Sequence, residues 1–391
     1  DTIEKLLEHY DELSDHIKVE TKDPDLYPKF TSQYTDQTVA ANSVIVVCGD
    51  KSKVVSNSDM WETSTNYQTY QTQTTGFDGE GQITSAITYV TSENNPKVYW
   101  VTGHGEASES DLSTNFSDAI NKNNVGISDL ALMTDDIPED AEELVIMSPT
   151  TDFSEDEANK VITYLENGGK LLMFTSYTGT DMPNLDSILE NYGVKRSSGI
   201  VVETDSQHYY PQMPYYLLPN IQSDDITTEV KSNYILMPVA QAIQKLDSYR
   251  DTITIKSLLT TTEDAYIEND PENSTWSKSA DSETGAFDLG VSITETVDDK
   301  ETQIIYFSSA SMLSSQIDQA ISGANSKLAA TALTSMCDVE QTVVIPSKST
   351  SYTNLVFTQG AVNTWSIITI AGIPLVLVVI GVMIWMKRRK Q

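Results

Sequence analysis

Gly103-His104-Gly105-Glu106 is the stretch whose residue types and spacing most readily suggest chemistry. It follows the apolar run KVYWVTG (Lys97–Gly103), read as a strand. In doubly wound sheets, ligands gather beyond the carboxyl ends of strands. A glycine on each side of the histidine permits a sharp turn or close approach to a ligand. His104 and Glu106 can act as a general-base pair, bind a polar partner, or tie down neighbouring loops. Thiolate catalysis would need a cysteine at a strand-to-helix elbow beside a histidine. The strand ends Gly103, Ser148-Pro149 and Thr175-Ser176 offer none, and Ser176 lacks a G-x-S-x-G setting. The region therefore reads as catalytically inactive, with Cys48 and Cys337 expected to be separate buried thiols and a disulfide between them, outside the cell, as the alternative.

A second candidate is the stretch His208–Tyr216, HYYPQMPYY. Tyr209, Tyr210, Tyr215 and Tyr216, interleaved with prolines, make a rigid aromatic surface suited to protein or glycan contacts. The same loop could instead pack on its own sheet. A metal centre is not expected. The four histidines (His9, His16, His104 and His208) stand at neither HExxH nor HxH spacing, and no C-x-x-C is present. The acidic runs Asp135–Glu143 and Asp152–Glu157 lack a calcium-loop pattern and read as solvated surface and a helix start. No cofactor is implied, and without a Walker A sequence any ATP hydrolysis belongs to another chain.

The elements that must position these residues follow from periodicity. Ile3, Leu6, Leu7, Tyr10 and Leu13 are spaced for a helix. Strands are expected at Ile17–Glu20 and Ser43–Asp50, a polar loop at Thr63–Thr75, and a boundary at Asn94-Asn95-Pro96. From there apolar runs alternate with helical patterns. ELVIMSPT (Glu143–Thr150) and KLLMFTS (Lys170–Ser176) read as buried strands. Between them Ser154-x-x-Glu157 is a capping box that opens a helix, and Gly168-Gly169 closes it. Strand–helix–strand order with near-continuous apolar strands predicts a parallel, doubly wound sheet. Beyond Lys245, Thr252–Leu259, Ala286–Thr294 and Thr302–Ser308 are strand-like.

Trp365–Met386 is 22 residues without a formal charge, long enough as a helix to cross a bilayer's hydrocarbon core. Trp365 and Trp385 stand near its ends, and Pro374 is tolerable inside it. Lys387, Arg388, Arg389 and Lys390 follow and mark the cytoplasmic end. Residues 1–364 are then expected outside, with an export segment ahead of Asp1. The chain holds 57 Asp+Glu and 24 Lys+Arg, a net charge of −33. Such a surplus argues against nucleic acid as a partner. Without the four terminal cations the net charge is −37, which anionic headgroups repel.

Several stretches resemble GldG-like (gliding-motility type) auxiliary subunits of ABC transport systems. They are VYWVTGHGE (Val98–Glu106), the Pro149–Glu155 turn, YLENGGKLLMF (Tyr164–Phe174) and the opening helix with its following segment. The resemblance implies a membrane-anchored extracytoplasmic subunit beside an ABC-2-type permease and, through it, a cytoplasmic ABC ATPase. It also implies a class I glutamine amidotransferase-like central domain, shared with intraflagellar transport proteins, a truncated thioredoxin-like opening region, and a further N-terminal membrane helix. A lone Cys48 does not carry dithiol chemistry over. The expected layout is α/β: residues 1–93 thioredoxin-like, 94–250 amidotransferase-like, 251–342 a β-rich extension, 343–364 a stalk, 365–386 the transmembrane helix and 387–391 the tail. A non-catalytic transporter subunit is the first reading. A surface hydrolase acting on cell-wall glycan or peptide through His104 and Glu106 is the alternative, and an adhesin using the tyrosine loop is a third.

Overall fold

The computed structural model describes residues 2–389 apart from 25, 28, 36–37, 67–70, 93–94, 273–274, 338–344, 346 and 350–356. The chain forms two compact units, one of residues 1–98, 117–127 and 337–353, the other of 99–116, 128–336 and 354–391.

The first unit opens with the helix Thr2–Leu13, whose apolar stripe meets the helix Gly79–Thr91 and two antiparallel hairpins. Ile3, Val55, Met60, Ile83 and Ala86 are its buried centre, with Leu6, Leu7, Tyr10 and Phe77 packed around them. Tyr10 Oη lies 2.6 Å from Thr84 Oγ1 and so ties the two helices. Two expectations fail here. Ile17–Glu20 is irregular rather than a strand. The expected loop at Thr63–Thr75 is largely the hairpin Trp61–Asn66 and Gln71–Phe77, because β-branched threonines suit a pleated surface even where none is apolar. Cys48 is exposed at the end of the strand Val44–Cys48, not buried as expected, and Cys337 is buried. No disulfide joins them.

The second unit is built on a mixed sheet. Its strand order is Tyr266–Glu268, Val194–Val202, Gln241–Lys245, Asp288–Val297, Lys300–Phe307, Lys170–Phe174, Glu143–Met147, Lys97–Val101, Gly126–Leu130. Lys300–Phe307, Lys170–Phe174 and Glu143–Met147 run parallel. The crossover helix Glu155–Glu166 allows this, because its length returns the chain to the same end of the sheet. The other half is antiparallel, which corrects the expectation of a parallel sheet over 94–250. A two-residue turn at Asp298-Asp299, with φ of 49° and 64°, folds Asp288–Val297 back on Lys300–Phe307. The strand-like runs beyond residue 250 therefore enter the same sheet as Lys170–Phe174.

Side chains alternate across this sheet. Leu144, Ile146, Leu171, Met173, Ile304 and Tyr306 pack against Val161, Leu165, Leu185, Ile188 and Leu189 of the helices Glu155–Glu166 and Pro183–Asn191. Val145, Leu172 and Ile305 point the other way and are equally buried, so both faces are covered. Each such side chain contributes roughly 1.5–3 kcal/mol on leaving water.

The chain ends in the helical stretch Gln359–Arg389. Ile368–Gly372 is a π-helical turn just before Pro374, which has no N–H to give the preceding turn. The lipid-length part is apolar all round and exposed, with Ile370 76% and Leu375 67% accessible. Residues 343–344, 346 and 350–356 of the expected stalk lie outside the described residues, and Gln359–Ile367 is already helical.

Candidate functional site

Gly103–Glu106 sits where expected, past the carboxyl end of Lys97–Val101. Its backbone is fastened before its side chains are. Thr150 and Thr151 both donate their N–H to the His104 carbonyl, at 2.9 and 3.1 Å, and their hydroxyls add bonds of 3.2 Å each. Gly105 has φ +78°, and a Cβ there would clash with Thr150 Oγ1, so both backbone and space favour glycine. Glu106 Oε2 accepts the His104 N–H at 2.7 Å, closing the turn.

The imidazole lies between two carboxylates. Nδ1 is 3.3 Å from Glu106 Oε1, and Nε2 is 3.2 Å from Glu157 Oε2. The Nδ1–Oε1 approach is close but not aligned as a hydrogen bond. Phe153 stacks on the ring with centroids 4.4 Å apart. His104 is 5% exposed and the Glu106 and Glu157 side chains 2% and 4%. Glu157 also completes the predicted capping box, accepting from Ser154 Oγ at 2.7 Å and Ser154 N at 2.9 Å. Burial pushes the Glu157 carboxyl up, but the Ser154 hydroxyl and N–H and the His104 ring outweigh it and hold it below its ordinary 4.5. Sequence reasoning reached His104 and Glu106 and missed Glu157 as their partner, reading it only as a cap.

This geometry suits fastening. Both ring nitrogens face carboxylates inside the fold, which leaves neither directed at an external nucleophile or substrate. The other strand ends agree. Ser148, at φ +55°, donates its hydroxyl to Ser176 Oγ at 2.9 Å and its N–H to Phe174 O. Among the described residues no three His, Cys, Asp or Glu side chains are arranged to hold a metal ion. An open concavity of about 980 Å³ lies along the helix Glu155–Glu166, lined by Asp136, Glu139, Glu142, Asp156, Lys160 and Tyr164. Its charged lining and wide mouth differ from an enclosed, mostly apolar small-molecule site.

The tyrosine stretch is a hairpin of Tyr209–Tyr210 against Met213–Leu217, turned at Gln212 with φ +67°. Tyr209, Tyr210, Tyr215 and Tyr216 are all half-buried. Tyr215 packs on Trp276 with centroids 4.4 Å apart and on Tyr216 at 5.3 Å. The sequence carries no signal for the Trp276 contact, which spans sixty residues of chain. On the apolar C-terminal helix, Trp365 and Trp385 are 62% and 59% exposed, and Arg389 lies over the Trp385 ring at 5.3 Å. Lys387 and Arg388 continue the helix, and Lys390 lies outside the described residues.

A mixed α/β domain with an inward-locked histidine is joined to a lipid-length apolar helix that fits a membrane anchor. A family model matches residues 95–335, more than half of the chain, and the chain belongs to that family, described as ABC-type uncharacterized transport system. It is thus an auxiliary component of an ABC-type transport system. No curated protein matches it. Among solved structures it is similar to the mmIFT52 N-terminal domain, at 15% identity and TM-score 0.45, over 61% of this chain and 96% of that one. A ThuA-like protein from Parabacteroides merdae ATCC 43184 matches at 12% identity and TM-score 0.35, over 68% and 99%. The exo-beta-1,4-mannosidase Op5Man5 from Opitutaceae bacterium strain TAV5 matches at 11% and 0.32, over 68% of this chain and 38% of that one. These scores are too low to assign the fold.

Proposed function

We propose that the chain is a non-catalytic, membrane-anchored subunit of GldG-like type. Its body is extracytoplasmic, and its C-terminal helix packs against an ABC-2-type permease that couples to a cytoplasmic ABC ATPase. The observation that carries this reading is the family match over residues 95–335 together with the exposed apolar helix after it. Ala371, Gly372 and Gly381 give that helix small positions for close approach to a partner helix. The GHGE and GGK motifs support an amidotransferase-like ancestry for the central domain, and the opening helix a thioredoxin-like one for the first unit. Burial of His104 supports a structural role for GHGE, one that holds the sheet's carboxyl edge in shape for contacts with the permease or its cargo.

The test is a mild-detergent pull-down of the full-length protein followed by mass spectrometry. Recovery of a multi-span permease and an ABC ATPase is expected. Recovery of the protein alone, with hydrolysis of a cell-wall glycan or peptide that Glu106→Gln abolishes, would replace this reading with the hydrolase.

A further inference from the structure

We propose that the hairpin Tyr209–Leu217 rests on the outer headgroup layer of the bilayer, beside the point where the C-terminal helix enters it. The inference rests on reading that helix as a membrane span. The first observation is a joint between the two. Gly360 N donates to Ser206 O at 2.6 Å, and Thr358 Oγ1 donates to Gln207 Oε1 at 3.1 Å. Gln212, at the tip of the hairpin, donates its N–H to Gln359 Oε1 at 2.9 Å. The hairpin therefore travels with the first turn of the helix.

The second observation is depth. Gln359 precedes Trp365, the first residue of the 22-residue stretch read as the membrane span, by six residues, and so by about 9 Å along a helix. The headgroup layer extends roughly 5–8 Å beyond each face of the hydrocarbon core. A hairpin tip bonded to Gln359 thus stands at the outer margin of that layer.

The third is composition. From Ser206 to Ser223 the chain has no Asp, Glu, Lys or Arg, although its total of Asp+Glu is 57. Repulsion from anionic headgroups keeps the acidic surface away, and this uncharged stretch is where approach costs least. Its exposed tip is Met213, 38% accessible, flanked by half-buried tyrosines. Tyrosine rings join an apolar body to a polar hydroxyl, which suits a site that is wet on one side and greasy on the other. Stacking of Tyr215 on Trp276 holds the hairpin in place, so little freedom is lost on contact.

The test places a photo-crosslinking p-benzoylphenylalanine, one position at a time, in the full-length protein in its native membrane. The positions are Met213, Trp365 as the helix reference, and Val297, an exposed residue on a different hairpin, as the remote reference. Exposure of Met213 makes the replacement compatible with the fold. Phospholipid adducts at 213 and 365 and none at 297 are expected. A polypeptide adduct at 213, which would mean that the hairpin is a permease contact, overturns the proposal. So does no adduct at 213 while 365 takes lipid, or lipid at all three positions. Absence of lipid at 365 would instead remove the membrane span itself, and the proposal with it.

Discussion

His104 is held between Glu106 and Glu157, and removing the ring would leave two buried carboxylates facing each other. Leaving a buried acceptor without its partner costs about 1–3 kcal/mol, so His104→Ala should lose at least about that much in denaturant unfolding. If the ring served catalysis rather than the fold, the same variant would unfold like the parent. Glu157 adds a pH signature. Its folded pKa is depressed below 4.5, as is that of Glu295, which Arg250 grips with two bonds of 2.8 and 2.7 Å. A depressed carboxylate stabilises the fold fully above its ordinary pKa, and the contribution is lost as pH falls through the folded value. Melting temperature should therefore drop as pH falls below about 4.5, and Glu295→Gln should make that drop shallower.

At the scale of elements, the loop after Lys97–Val101 is set by a glycine and the helix Glu155–Glu166 by a cap. Gly105→Ala forces a left-handed residue and a clash with Thr150, and should destabilise the protein by more than about 1 kcal/mol, read by thermal melting. Ser154→Ala removes the cap and one of the bonds that orient Glu157, at a cost of about 1–2 kcal/mol. Both features were legible beforehand, since a capping box and a glycine pair are short-range signals. The polar strand pair Trp61–Asn66 and Gln71–Phe77 was not, because threonine-rich strands carry no apolar alternation to betray them.

For the whole molecule, the proposed orientation rests on the charge layout. On that topology, replacing Lys387, Arg388, Arg389 and Lys390 with Glu removes the cations that would hold the C-terminal end in the cytoplasm. In intact cells or spheroplasts, external protease should then reach a smaller share of the body. An unchanged digestion pattern would show that another segment sets the topology.

The sequence by itself determined the features that depend on local pattern. These are the apolar helix with its cationic end, the strand–cap–helix–glycine run through Glu143–Phe174, and the turn at GHGE. Tertiary structure alone decided which elements meet. Lys300–Phe307 pairs in parallel with Lys170–Phe174 and antiparallel with Asp288–Val297, and so turns an expected parallel sheet into a mixed one. Glu157 reaches His104 across more than fifty residues, and Gln212 reaches Gln359 across 147. Hydropathy period and capping are read along one segment, whereas a partner across the sheet is selected by packing and hydrogen-bond satisfaction among segments far apart in the chain.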